Sequence, residues 1–139
     1  MERIVVGVDG SEAAHRALEW AIDEARQRGA VVEAIHAWHQ PFVSGYSAMG
    51  EIPLGDYETD AQAVLDAAIA AVNTAGVTIE GKVIPGGAAQ VLVEAAKGAS
   101  LLVVGSRGRG GFSGLLLGSV SQQSAHHAPC PIVIIPAAA

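Results

Sequence analysis

One cysteine, Cys130, stands among 139 residues, so no intrachain disulfide can form and the chain is not a stapled secreted scaffold. Its place between Pro129 and Pro131 reads as structural context rather than a poised thiol. Positive charge is scarce as well. Eight Lys and Arg against fourteen Asp and Glu leave a net charge of −6, which argues against nucleic acid as a partner, because phosphate backbones are held by basic faces. No apolar stretch approaches the ~18 residues of a membrane span. The opening MERIVVGVDGSE lacks the long apolar core and small-residue cleavage site of a signal peptide, and is read as the first strand of a cytoplasmic protein. Absent too are the G-K-[S/T] of a P-loop and the G-x-S-x-G elbow of a serine hydrolase. GRGGFS puts Ser113 where a dinucleotide fingerprint needs Gly or Ala.

Half the residues are apolar and 16% are charged, a balance that requires a folded chain, and the length suits a single domain over 1–139. The apolar positions alternate between two periods. Ile4, Val5, Val6 and Val8 form a β-branched run, and Ser11 then opens a stretch with Ala14, Ala17, Leu18, Ala21 and Ala25 at helical spacing, closed by Gly29. A second strand follows through Trp38. The residues over 56–75 form a second helix, with Ala61, Leu65, Ala68 and Val72 on one face and Gly76 as its stop. Residues 77–84 alternate as an edge strand does, 89–97 form a short helix, and 101–104 are apolar in the manner of a strand buried on both faces. A Gly-rich loop leads to a helix over 118–128, and Ile132–Ile135 is a fifth strand. Strands alternating with helices predict an open, doubly wound α/β fold, a parallel sheet of order 3-2-1-4-5 with helices on both faces. Ligands of such sheets sit at the carboxyl ends of the strands, here the loops after Val8, Trp38 and Val104.

The densest signal is GSRGRGGFSGLLLGS, in which Gly105, Gly108 and Gly118 precede Ser119 at intervals of two and nine residues. Glycines let backbone N–H groups converge on phosphate oxygens, and a following helix N-terminus adds unpaired donors and its dipole. Arg107 and Arg109 place two of the few cations in the same loop, and Ser119 and Ser121 add hydroxyls. The second signal is Gly7-Val8-Asp9-Gly10-Ser11, which sets a carboxylate and a hydroxyl at the end of the first strand. Ser11 reads as a helix cap and Asp9 as facing a ligand. His36 and His39 straddle a strand end, and adjacent His126 and His127 point about 100° apart on a helix, an arrangement that does not share a metal.

These residues resemble the universal stress protein family over about 3–136. The resemblance rests on V-D-G-S, on His36-Ala37 ending the second strand, on VVGSRGRGG, on LLGSV and on the closing A-P-C-P-I-V-I-I. It implies that Asp9 and Ala37 contact an adenine, that Gly7, Val104 and Gly105 lie along the nucleoside, and that Gly108, Gly118, Ser119 and Val120 hold phosphates. Gly7 and Ala37 stand where other members have Pro or Val. The candidate binding set is Gly7, Val8, Asp9, Ala37, Val104, Gly105, Arg107, Gly108, Arg109, Gly118, Ser119, Val120 and Ser121. The implied ligand is ATP, with Mg as a companion ion and AMP or a cyclic nucleotide as alternatives.

The implied function is a nucleotide-dependent regulatory module in stress response; the alternatives are a slow nucleotide-hydrolysing or nucleotide-transferring enzyme and a nucleotide-free dimeric scaffold. A homodimer through Ile132–Ile135 would cover an apolar sheet edge. ATP turnover is expected to be absent or very slow, since no Asp or Glu follows Glu94 to orient water or hold a metal. Residues 40–56, rich in Pro and Gly, are expected to form a flap whose order depends on the ligand.

Overall fold

A computed structural model describes residues 2–39, 54–107 and 118–137. The expected flap falls largely on 40–53, outside the described residues. Among those residues the chain runs β1 (Arg3–Gly7), α1 (Glu12–Arg28), β2 (Val31–Trp38), α2 (Leu54–Ala70), β3 (Ile79–Pro85), α3 (Ala88–Ala95), β4 (Leu101–Gly105), α4 (Ser119–His127) and β5 (Ile132–Ile135). The five strands form one sheet of order β3-β2-β1-β4-β5, parallel throughout. The expected α/β fold and strand order are therefore observed.

Because strand side chains alternate, the sheet builds two cores. On one face Ile4, Val6, Val32, Ala34 and Val103 pack with Leu18, Ala21 and Ile22 of α1 and Leu65 of α2. On the other, Val5, Ile35, Leu102 and Val104 pack with Val91 and Leu92 of α3. The central strands β1 and β4 are covered on both faces, which is why both read as unbroken apolar runs. Edge strand β3 keeps Glu80 and Lys82 exposed, and at its end Pro85 lies beside Trp38 while the Gly86 N–H supplies the bond to the Trp38 carbonyl at 2.9 Å, so the N–H that Pro85 lacks would have faced away from β2, where its loss is tolerated.

Helix ends follow local chemistry. Ser11 Oγ accepts from the Ala14 N–H at 3.2 Å, and Gly29, at φ +68°, closes α1 in the left-handed region. The second helix differs from its expected span, stopping at Ala70 rather than 75. Asn73 Oδ1 accepts from the Ala75 N–H at 3.0 Å, and Arg26 donates to the carbonyls of Asn73 and Ala75 at 3.2 and 3.1 Å. These bonds stabilise a turn in place of a further helical one. The third helix likewise ends two residues before 97, at Ala95, with Gly98 at φ +79° turning the chain toward β4.

Candidate functional site

Strand order reverses between β1 and β4, which leave the sheet's centre toward opposite edges, so their following loops diverge and open a crevice. The cleft found there is lined by Gly7, Val8 and Asp9 from β1 and its loop, Ile35 and Ala37 from β2, Val104, Gly105 and Arg107 from β4 and beyond, and Gly118, Val120 and Ser121 from the start of α4. Ala14 of α1 and Ala88 and Leu92 of α3 complete the lining. Ten of the thirteen sequence candidates thus share one cleft. Ser119 is not in its lining and is exposed at the first turn of α4, while Gly108 and Arg109 lie outside the described residues.

Each wall has a local reason. Gly10 adopts φ +82°, and the Ser11 N–H donates to Asp9 Oδ1 at 2.8 Å, a turn that folds the Asp9 carboxylate back beside its own loop. Ser106, just after β4, is bonded to the start of α4 and to the end of the described chain. Its carbonyl accepts from the Gly118 N–H and from Ser121 Oγ, the latter at 3.1 Å. Its N–H donates to the Ile135 carbonyl at 2.7 Å, and its hydroxyl accepts from the Ala137 N–H at 3.2 Å. The Gly118 N–H and the Ser121 hydroxyl are thereby engaged by the Ser106 carbonyl. First of the helical bonds of α4 is that from the Gln122 N–H to the Gly118 carbonyl at 3.0 Å, so the N–H groups of Ser119, Val120 and Ser121 have no intrahelical acceptor and carry the positive end of the dipole. Gly118 itself is extended, at φ −77° and ψ 171°, so a side chain there is a matter of space at the helix entrance and not of backbone strain.

The glycine that ends β4 has a packing role the sequence did not disclose: an added Cβ on Gly105 would lie 2.8 Å from the Ala13 carbonyl carbon and Cβ. Sequence reading also passed over Ile35, Ala88 and Leu92. Period-two spacing from Ala37 points to Ile35, and i,i+4 spacing on α3 joins Ala88 to Leu92. Among the described residues Asp9 is the one carboxylate in the lining, and no group of three His, Cys, Asp or Glu side chains is placed to hold a metal. Cys130 is half-buried against the α3-side core, and that burial pushes its thiol above the ordinary value, in keeping with a structural residue.

The model of the universal stress protein family matches residues 1–136. The chain belongs to that family. A universal stress protein of Mycolicibacterium smegmatis is 37% identical over 139 residues, an alignment covering 95% of this chain and 45% of the relative. The chain spans about half the length of the curated universal stress proteins it matches. A solved universal stress protein in complex with cAMP is 29% identical, with a TM-score of 0.66 and coverage of 99% of this chain and 98% of its own. Another, from Archaeoglobus fulgidus and in complex with dAMP, is 25% identical, with a TM-score of 0.73 and coverage of 97% and 98%.

Proposed function

We propose that the chain binds an adenine nucleotide, ATP in the first place, in the cleft between β1 and β4, and acts as a nucleotide-dependent regulatory module. The observation that carries this reading is the joint lining: apolar Ile35, Ala37, Leu92 and Val104, the Asp9 carboxylate from the loop after β1, and Arg107 after β4 with the entrance of α4. An adenosine suits the apolar residues and the carboxylate, and phosphates suit the helix entrance. The relatives solved with cAMP and dAMP support adenine as the base. Magnesium would travel on the phosphates, since among the described residues Asp9 alone brings a carboxylate to the lining. The chemistry of this set is binding rather than turnover. Donors that hold phosphates equally in ground and transition states give affinity without acceleration. A second copy, paired along β5, completes the proposed assembly.

Calorimetry with ATP, AMP and cAMP tests the reading, together with mass spectrometry of any ligand released from the purified protein. Gly118→Val is expected to weaken ATP binding at least tenfold, because its isopropyl group stands at the helix entrance. Its cost to folding should stay near 1 kcal/mol, since the extended backbone suits Val and only the cap preference is lost. Equal affinity in variant and wild type would place the phosphates elsewhere. ATP hydrolysis at about 1 s⁻¹ or faster, abolished by Gly118→Val, would replace the regulatory reading with an enzymatic one.

A further inference from the structure

Along β2, Ile35 and Ala37 face α3 and line the cleft, so alternation turns His36 to the opposite face of the sheet. There its Nδ1 lies 2.7 Å from the carbonyl oxygen of Val8. A carbonyl can only accept, so Nδ1 carries the proton and donates it. The β1–β2 ladder has ended by this point: register pairing stops at Gly7 with Ile35, and the Val8 N–H bonds the Ile35 carbonyl at 2.8 Å. The imidazole takes up the next carbonyl as the chain leaves the sheet. Asp9 follows immediately, then Gly10 at φ +82° and the closure of the Ser11 N–H on Asp9 Oδ1. The direction in which Val8 leaves β1 decides where Asp9 stands, and His36 holds that direction from behind.

We infer that His36 is a positioning residue for the nucleotide site, setting the Asp9 loop without touching the ligand. The inference rests on the nucleotide reading above. Its test uses the full chain, with AMP and adenosine as separate probes in calorimetry. His36→Phe keeps a flat ring and loses the donor, and affinity should fall about tenfold, the scale on which one well-made hydrogen bond acts. The loss should be the same for both probes, because the loop meets the nucleoside and not the phosphate. His36→Asn carries its amide nitrogen at the same bond distance from Cα as Nδ1 and should recover most of the affinity. Unchanged binding in His36→Phe overturns the inference, as does a His36→Asn protein that melts like the wild type yet binds as weakly as His36→Phe. Hydrogen exchange at the Ser11 amide of the unliganded protein gives a reading that needs no nucleotide. Faster exchange in His36→Phe, restored in His36→Asn, supports the inference, and exchange unchanged in His36→Phe overturns it. A wild-type chain that binds neither probe would instead overturn the nucleotide reading, with exchange at Ser11 still deciding the role of His36.

Discussion

A methyl group added at Gly105 would meet backbone, and one added at Gly7 would meet only the end of a side chain. At Gly105 the added carbon would lie 2.8 Å from the Ala13 carbonyl carbon and 3.0 Å from the Ala14 nitrogen, so β4 or the first turn of α1 would have to move. At Gly7 it would lie 2.8 Å from Leu92 Cδ1, a terminal methyl that a small rotation displaces. Gly105→Ala is therefore expected to cost about 2 kcal/mol, in the range for overpacking, and Gly7→Ala less than about 1 kcal/mol. Urea unfolding with an unchanged m-value measures both. Leu92 lines the cleft, as do Gly7 and Gly105 themselves, so nucleotide affinity should fall in both variants, including the one whose cost to stability is small. The same reasoning separates two serines of α4. Ser121 is buried and its single hydroxyl proton lies between the Ser106 and Gly118 carbonyls, whereas Ser119 is exposed. Ser121→Ala should cost about 1 kcal/mol and Ser119→Ala less than half of that, both read from the same unfolding curves.

Three strands and a helix are tied together by one buried charge. Glu33 of β2 is 5% exposed and accepts from Arg3 of β1 and, at 2.8 Å, from Lys82 of β3. Arg3 also donates to the carbonyls of Ala95 and Lys97 at the end of α3, at 2.8 and 2.7 Å, where a cation suits the helix dipole. Burial pushes the Glu33 carboxyl up, but hydrogen bonds from Lys82 and Arg3, with their charges, outweigh it, and its pKa lies below the ordinary 4.5. A carboxylate whose pKa is lowered by folding contributes stability that is complete above its unfolded value and is lost as pH falls through the folded one. Stability should therefore decline as acid is added below about pH 4.5. Glu33→Gln should lose part of that acid-dependent slope while being less stable at neutral pH, as urea midpoints measured across pH would show. Truncating Arg3 to Met should cost more than truncating Lys82, about 3 kcal/mol, because Glu33 stays buried while the end of α3 is released as well.

The sheet's two edges differ in how they meet water. Edge strand β3 exposes Glu80 and Lys82, charges that discourage pairing with another chain. Edge strand β5 has only Ile132, Val133, Ile134 and Ile135, all half-buried, and its prolines at 131 and 136 restrict any added ladder to the residues between them. The proposed homodimer follows from that contrast. Light scattering at micromolar concentration should give the mass of a dimer, and Val133→Lys on the edge should reduce it to that of the monomer. A monomeric mass for the wild type would remove the proposal.

Patterning along the chain was enough for the placement of all nine described elements and the Ser11 cap, because hydrophobic period and capping chemistry are decided among residues a few positions apart, whereas the observed strand order was expected from the doubly wound fold class and not from any local period. Patterning also pointed to most of the cleft, since the glycines, Asp9 and Arg107 lie directly after strands whose carboxyl ends must converge in a parallel sheet. Boundaries were less legible: α2 ends at Ala70 because Arg26, from another helix, holds the turn beyond it. The same holds for Gly105, whose neighbour is α1, for Ser106, fastened to Ile135 and Ala137, for Glu33 between Arg3 and Lys82, and for His36 on the Val8 carbonyl. Each of these roles joins residues some thirty or more positions apart on at least one side. Such a partner exists only once the sheet has brought the strands into register, so no local period or motif could announce it.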